Sequence, residues 1–61
     1  MKPIESFEAE IAFKEGKHIF VLDRYTRELI YLNECKNRNF LLNVFSQPNY
    51  LHYLYEPKKR P

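Results

Sequence analysis

Apolar and charged positions alternate in the N-terminal part of the chain. The apolar members of this alternation are Phe7, Ala9, Ile11 and Phe13. A period of two predicts a strand over residues 7–14 with one face in water. Gly16 follows, and a glycine there can adopt the left-handed conformation that closes a hairpin loop. A second, antiparallel strand is therefore predicted over residues 17–22.

Two segments further along are apolar at consecutive positions. Residues 19–22 are Ile-Phe-Val-Leu and residues 29–32 are Leu-Ile-Tyr-Leu. Between them, the Asp23 carboxylate can accept a backbone N–H two residues on, which favours a turn and a third strand over residues 28–32. Strands that are apolar on both faces are normally covered on both. We therefore expect one face to pack on the rest of the chain and the other on a second molecule.

The segment 34–46 fits two structures. Asn33 is a good helix N-cap, Glu34 suits the positive end of a helix, and Pro48 ends a helix before it. Phe40, Leu42 and Val44 also alternate with their neighbours, which is compatible with a strand over residues 39–45. Length and capping residues favour the helix.

The C-terminal part combines tyrosines with a basic end. The alternating, tyrosine-rich residues 50–55 predict a last strand or extended segment. Residues 57–61, Pro-Lys-Lys-Arg-Pro, predict an extended, solvated tail after a single small domain over residues 1–56.

These elements predict an α+β fold. Its parts are a three-stranded antiparallel meander, one short helix against one face, and the C-terminal strand or extended segment. A five-stranded, SH3-like small barrel is the alternative if residues 39–45 form a strand. One cysteine, Cys35, excludes an internal disulfide, so noncovalent packing must hold the fold.

Hydropathy and motifs narrow the functional classes. The longest apolar runs have four residues, against roughly 18 for a membrane span, so a cytoplasmic protein without membrane contact is predicted. His18, His52 and Cys35 lack the spacing of a zinc or thiol site. The sequence also lacks a glycine-rich phosphate loop, a GxSxG elbow and an HExxH helix. These features predict a non-enzyme without metal or cofactor.

The charge distribution is uneven along the chain. Residues 1–34 carry a net charge of −2 and residues 35–61 a net charge of +4. Cations beside aromatic residues are typical of single-stranded nucleic-acid binders. An RNA- or single-stranded-DNA-binding domain is therefore the alternative function, with candidate residues Tyr50, Tyr53, Tyr55, Lys58, Lys59 and Arg60.

The leading prediction is a protein-binding module. Ten aromatic residues in 61 supply large contact areas, and the doubly apolar strands need a second covering layer. Such a module would act as a small regulator or inhibitor that covers a surface of a larger protein, or it would pair with its own copy as a homodimer. The candidate contact residues are Phe20, Leu22, Tyr25, Ile30, Leu32, Tyr53 and Tyr55.

Overall fold

The computed structural model describes residues 1–57, which form one sheet and two short helices. The elements in chain order are β1 (Lys2–Ile4), α1 (Ser6–Lys14), β2 (His18–Asp23), β3 (Leu29–Tyr31), a 3-10 turn (Leu32–Glu34), α2 (Arg38–Asn43), a second 3-10 turn (Val44–Ser46) and β4 (Tyr50–Tyr55). Over these residues neither helix is long and apolar enough to cross a membrane.

The sheet is open and its four strands lie in the order β1-β4-β2-β3. Every neighbouring pair is antiparallel. Strands β1 and β2 therefore run in the same direction on either side of β4. The unit β1-α1-β2 is a split β-α-β motif, and the C-terminal strand fills the gap between its two strands.

The core lies between the sheet and the helical elements, on one side of the sheet only. Its buried residues are Ala9, Ala12, Ile19, Val21, Leu32 and Val44. Ile19 and Val21 come from β2, and the other four come from α1 and the two 3-10 turns. The side chains of Ile4, Phe13, Ile30 and Leu54 pack around this cluster.

The strand predicted over residues 7–14 is wrong, because this segment forms α1. Ala9 and Ala12, three residues apart, both face the sheet and let the helix approach it closely. The Glu8 carboxylate accepts the N–H of Glu5 at 3.2 Å, and Glu10 pairs with Lys14 at 3.2 Å one turn on. Alanine, glutamate and lysine are strong helix formers, and their propensity outweighs the alternating pattern.

Gly16 has the predicted left-handed conformation, with φ of 84°, but it ends α1 instead of closing a hairpin. Its N–H donates to the Phe13 carbonyl, and the N–H of Lys17 donates to the Ala12 carbonyl, both at 3.0 Å. This pair of bonds is a Schellman motif, which satisfies carbonyls at the end of the helix. The chain then reverses directly into β2.

The predicted α+β class is confirmed, with an antiparallel sheet, a helix within residues 34–46 and a C-terminal strand. Three neighbouring antiparallel strands are present as β3, β2 and β4, so β4 takes the place beside β2 that was predicted for residues 7–14. The five-stranded barrel is not adopted over residues 1–57, because residues 39–43 lie in α2 and the sheet stays open.

Two polar residues fix the connections around β2. The Asp23 carboxylate accepts the N–H of Tyr25 at 2.9 Å, as predicted for the turn. Asn33 is not the helix N-cap, a role that Asn37 fills by accepting the N–H of Phe40. The Asn33 side chain instead accepts the N–H of Ile19 at 3.0 Å and donates to the Lys17 carbonyl at 2.8 Å. It thereby ties the 3-10 turn after β3 to the start of β2.

Replacing Gly16 by alanine should destabilise the fold by about 1 kcal/mol or more, because a Cβ is strained at positive φ even in open space. Urea unfolding followed by circular dichroism measures the change. The control Glu15→Ala alters the exposed neighbouring residue and should cost little. Equal midpoints for wild type and Gly16→Ala would contradict the role of Gly16.

Candidate interaction surface

The side of the sheet opposite the helices is uncovered in the described structure, and we call it the outer face. Residues directly opposite each other in an antiparallel pair point to the same side. Ile19 and Val21 point to the core, so their neighbours along β2 point outward. The register then assigns nine positions to the outer face: Pro3, His18, Phe20, Leu22, Leu29, Tyr31, Leu51, Tyr53 and Tyr55.

None of these nine positions, all within the described residues, holds Lys, Arg, Asp or Glu. Five of the nine residues are exposed, among them Leu29 at 48%, Leu51 at 41% and Tyr55 at 44%. A solvated sheet face normally alternates polar residues outward. The composition of the outer face is instead that of a face meant to be covered.

Aromatic rings form a packed cluster on the outer face. Phe20 stacks on Tyr31 with ring centroids 4.8 Å apart, and the Tyr55 ring meets it edge-on at 6.2 Å. His18 lies beside both tyrosines, and its Nδ1 is hydrogen-bonded to the Tyr31 hydroxyl. The rings therefore hold one another in place, which lowers the entropy cost of binding a partner.

The sequence prediction of contact residues is correct in part about their location. Phe20, Leu22, Tyr53 and Tyr55 do lie on the outer face. Ile30 and Leu32 do not. Ile30 is opposite Val21 and packs on the core, and Leu32 is fully buried in the turn after β3.

Sequence reasoning did not select the other five residues of this face: Pro3, His18, Leu29, Tyr31 and Leu51. The prediction placed β3 one residue out of its observed register with β2. A shift of one residue moves every side chain of a strand to the opposite face of the sheet. The register depends on the turn between β2 and β3, where Arg27 has a positive φ of 63°. An arginine in this conformation gives no signal in the sequence.

Tyr25 stands apart from the outer face. It is 84% exposed at the tip of the turn between β2 and β3, beside Arg24, Pro48 and Asn49. A backbone bond from the N–H of Arg24 to the Asn49 carbonyl, at 2.9 Å, holds this turn against the start of β4. Tyr25 is therefore an exposed aromatic side chain on an anchored turn at one end of the sheet.

The candidate nucleic-acid residues are divided by the fold. Tyr53 and Tyr55 lie on the outer face, whereas Tyr50 lies on the helix side and meets Phe40 edge-on at 5.5 Å. The predicted cations Lys58, Lys59 and Arg60 lie outside the described residues.

The two histidines point to opposite sides of the sheet, His18 outward and His52 inward. Cys35 is half-buried beside β3. Over residues 1–57, no three His, Cys, Asp or Glu side chains lie close enough together to hold a metal ion.

Comparison with models of protein families, with curated proteins and with solved structures finds no match for this chain. The function is therefore inferred from the geometry of the outer face.

His52 is a buried polar residue on the core side of the sheet. Its ring stacks on Phe45 at 5.8 Å, and its Nε2 has no hydrogen-bond partner among the described residues. Burial lowers the pKa of His52 below its usual 6.5, and a backbone hydrogen bond with Val44 opposes the shift only in part. Folding therefore favours the neutral imidazole.

Acid should destabilise the fold through His52. Below pH 6.5 the unfolded chain binds a proton that the folded chain resists, so the free energy of unfolding should fall until the folded-state pKa is passed. Urea unfolding at a series of pH values measures this slope. In His52→Phe, which retains a ring against Phe45, the slope should be smaller. Identical slopes in wild type and His52→Phe would contradict the assignment.

Proposed function

We propose that this protein is a non-enzymatic, cytoplasmic protein-binding module that acts by covering a surface of a larger protein with its outer face. The observation that carries the proposal is the absence of charge at the nine positions of this face, together with its exposed leucines and tyrosine. Burial of apolar surface is the main favourable term in protein association. A regulator or inhibitor that blocks its partner's surface fits such a face.

The tyrosines favour a protein as the ligand. Tyr31, Tyr53 and Tyr55 each combine an apolar ring with a hydroxyl, and tyrosine is enriched at the centres of protein interfaces. Tyr31, Tyr55 and Phe20 are already locked into one cluster. A partner would meet a pre-organised surface.

The size of the outer face favours a larger partner over two outer faces stacked together. With strands spaced about 4.8 Å apart and rising about 3.3 Å per residue, two six-residue and two three-residue strands give a flat footprint of about 300 Å². A stable interface buries about 800 Å² per partner. A larger protein can supply the missing area by also contacting the surroundings of the face, such as the turn that carries Tyr25.

A nucleic-acid partner is the second candidate function. Bases bind single-stranded-nucleic-acid proteins by stacking on free aromatic faces. Phe20 has its ring covered by Tyr31 and flanked by Tyr55, so the cluster offers ring edges more than faces. Tyr50 lies on the other side of the sheet. These contacts favour the protein-binding proposal.

A matched pair of leucine variants tests the proposed surface. Leu51→Lys puts a charge on the outer face, and Leu42→Lys makes the same change on α2, where Leu42 is 79% exposed. With a partner recovered by cross-linking in the native host and then purified, calorimetry should show Leu51→Lys weakening binding at least about tenfold, because a charge would be buried in the interface. Leu42→Lys should bind as wild type. Equal affinities for all three proteins would contradict the proposal.

Fluorescence anisotropy with a mixed-sequence single-stranded oligonucleotide tests the second candidate. We expect no binding that depends on the outer face, so wild type and Tyr53→Ala should give the same signal at low salt. Affinity that falls steeply with salt, and that falls again in Tyr53→Ala, would favour the nucleic-acid function instead.

A further inference from the structure

One polar residue is buried in the described chain, and it lies beneath the segment between β3 and β4. His52 points to the core side of β4 and is only 5% exposed. Phe45, in the second 3-10 turn, stacks on the His52 ring at 5.8 Å, and the same Phe45 packs against Phe13 of α1 at 5.9 Å. Phe45 is therefore the side chain through which this segment covers His52.

The residues around His52 on the core side are almost all apolar. Element by element, they are Ile4 (β1), Ala9, Ala12 and Phe13 (α1), Val21 (β2), Val44 and Phe45 (second 3-10 turn), and Tyr50 and Leu54 (β4). Tyr50, whose ring meets Phe40, is the one titratable group among them. None of them is an aspartate or glutamate that could pair with a protonated His52.

The charged residues nearby form contacts of their own. Within the strands, the core side carries Lys2 on β1 and Asp23 on β2, each two residues along from the residue opposite His52. The Asp23 carboxylate accepts two N–H groups of its own turn. On α1, the Glu8 carboxylate bonds to the N-terminal cap and the Glu10 carboxylate pairs with a lysine one turn on.

The hydrogen bonds of His52 suit the neutral ring only. The imidazole forms a backbone hydrogen bond with Val44, and Nε2 has no partner among the described residues. A neutral imidazole carries one N–H, whereas a protonated imidazole carries two. The second N–H would be a buried donor on a buried charge, without an acceptor among the described residues.

The segment above His52 is anchored to the sheet at its two ends. We call residues 35–48 the covering segment. Before it, the Asn33 side chain bonds to the start of β2. After it, the Asn49 carbonyl accepts the N–H of Arg24 at 2.9 Å. Between these anchors, the backbone bond to His52 is the one hydrogen bond or ion pair in the described chain that joins the covering segment to the sheet or to α1.

Apolar contacts therefore hold the covering segment in place, and they are few. Val44 is its one fully buried residue, and Phe40, Leu41 and Phe45 are partly buried. The helix α2 itself contributes no buried residue. Local opening of such a segment requires less free energy than unfolding of the whole chain.

The charges of the covering segment do not favour a protonated histidine beneath it. Residues 35–48 contain no Asp, Glu or His, and their charged residues are Lys36 and Arg38. No carboxylate of the segment can therefore offset a positive charge on His52. The segment also has no group of a type that ordinarily titrates between about pH 5.5 and 7.5.

We propose that the covering segment is an acid-released lid, which leaves the core side of the sheet when His52 is protonated while the four strands stay paired. His52 cannot move away, because β4 is bonded to β1 on one side and to β2 on the other. The Phe45 ring can move away with its segment, and water then reaches Nε2. The lid lies on the side opposite the outer face and does not depend on the proposed function.

Amide hydrogen exchange followed by NMR on the full chain tests the lid. The reporter is the Val44 amide, which donates to the Phe40 carbonyl, and the reference is the ladder between β2 and β4. After correction for the intrinsic rate at each pH, we expect a larger opening constant at Val44 than in the ladder. The opening constant at Val44 should rise about three- to tenfold from about pH 7.5 to about pH 5.5, because the open state binds a proton that the closed state resists.

Two results in the wild type would overturn the proposal. An opening constant at Val44 that does not depend on pH would show that the covering segment opens without exposing His52. Equal opening constants at Val44 and in the ladder would show that the segment is released only when the whole chain unfolds.

A variant assigns the acid effect to His52. His52→Phe keeps an aromatic ring against Phe45 but cannot be protonated, so the opening constant at Val44 should no longer rise on acidification. The control Tyr53→Phe changes the next position along β4, keeps His52 and should retain the rise. A rise of the wild-type size in folded His52→Phe would overturn the proposal. If His52→Phe does not fold, the wild-type comparison of Val44 with the ladder still decides the question.

Discussion

Two short helices can cover only one side of a four-stranded sheet, and the remaining features of this protein depend on that constraint. Residues 1–57 place α1, α2 and both 3-10 turns on the side of Ile19 and Val21. The other side has no covering layer among these residues. A small domain has few apolar residues beyond those that its core needs. Nine uncharged positions on the uncovered side therefore lower its stability and solubility unless they serve association.

The packing of the covered side explains how so small a chain holds the sheet together. Ala9 and Ala12 bring α1 close to β2 and β4, and the Schellman motif at Gly16 returns the chain directly into β2. Because β4 lies between β1 and β2, the C-terminal strand completes the split β-α-β motif. The N- and C-terminal strands therefore stabilise each other, and the outer face exists only when both are in place.

The aromatic cluster gives the outer face its character. Phe20 stacks on Tyr31 and meets Tyr55 edge-on. These contacts cover only part of each ring. The exposed leucines Leu29 and Leu51 lie in the next row of the sheet, on one side of this cluster. The result is an apolar surface with polar tips, and the proposed protein-binding function rests on this character.

Local signals in the sequence predicted several elements correctly. Asp23 predicted its turn, the tyrosine-rich residues 50–55 predicted β4, and Pro48 predicted the end of the helical segment before it. Each of these signals acts between residues that are close in sequence, so the tertiary fold does not alter it.

The errors arose where tertiary contacts decide the outcome. The apolar positions of residues 7–14 fit both a period of two and a helix, and packing of two alanines on the sheet selects the helix. Ile30 and Leu32 were assigned to the wrong face because the register of β3 is fixed by a turn with no clear sequence signal. The outer face was therefore predictable as a kind of surface, but only four of its nine residues were identified.

Solvent paramagnetic relaxation enhancement of methyl groups tests the central claim most directly. With a neutral, soluble paramagnetic probe in dilute protein, the methyls of Leu29 and Leu51 should broaden strongly, while those of Ile19 and Val21 on the other side of the sheet should not. Equal protection of all four residues would show that the outer face is already covered within a single chain, and this result would contradict the account.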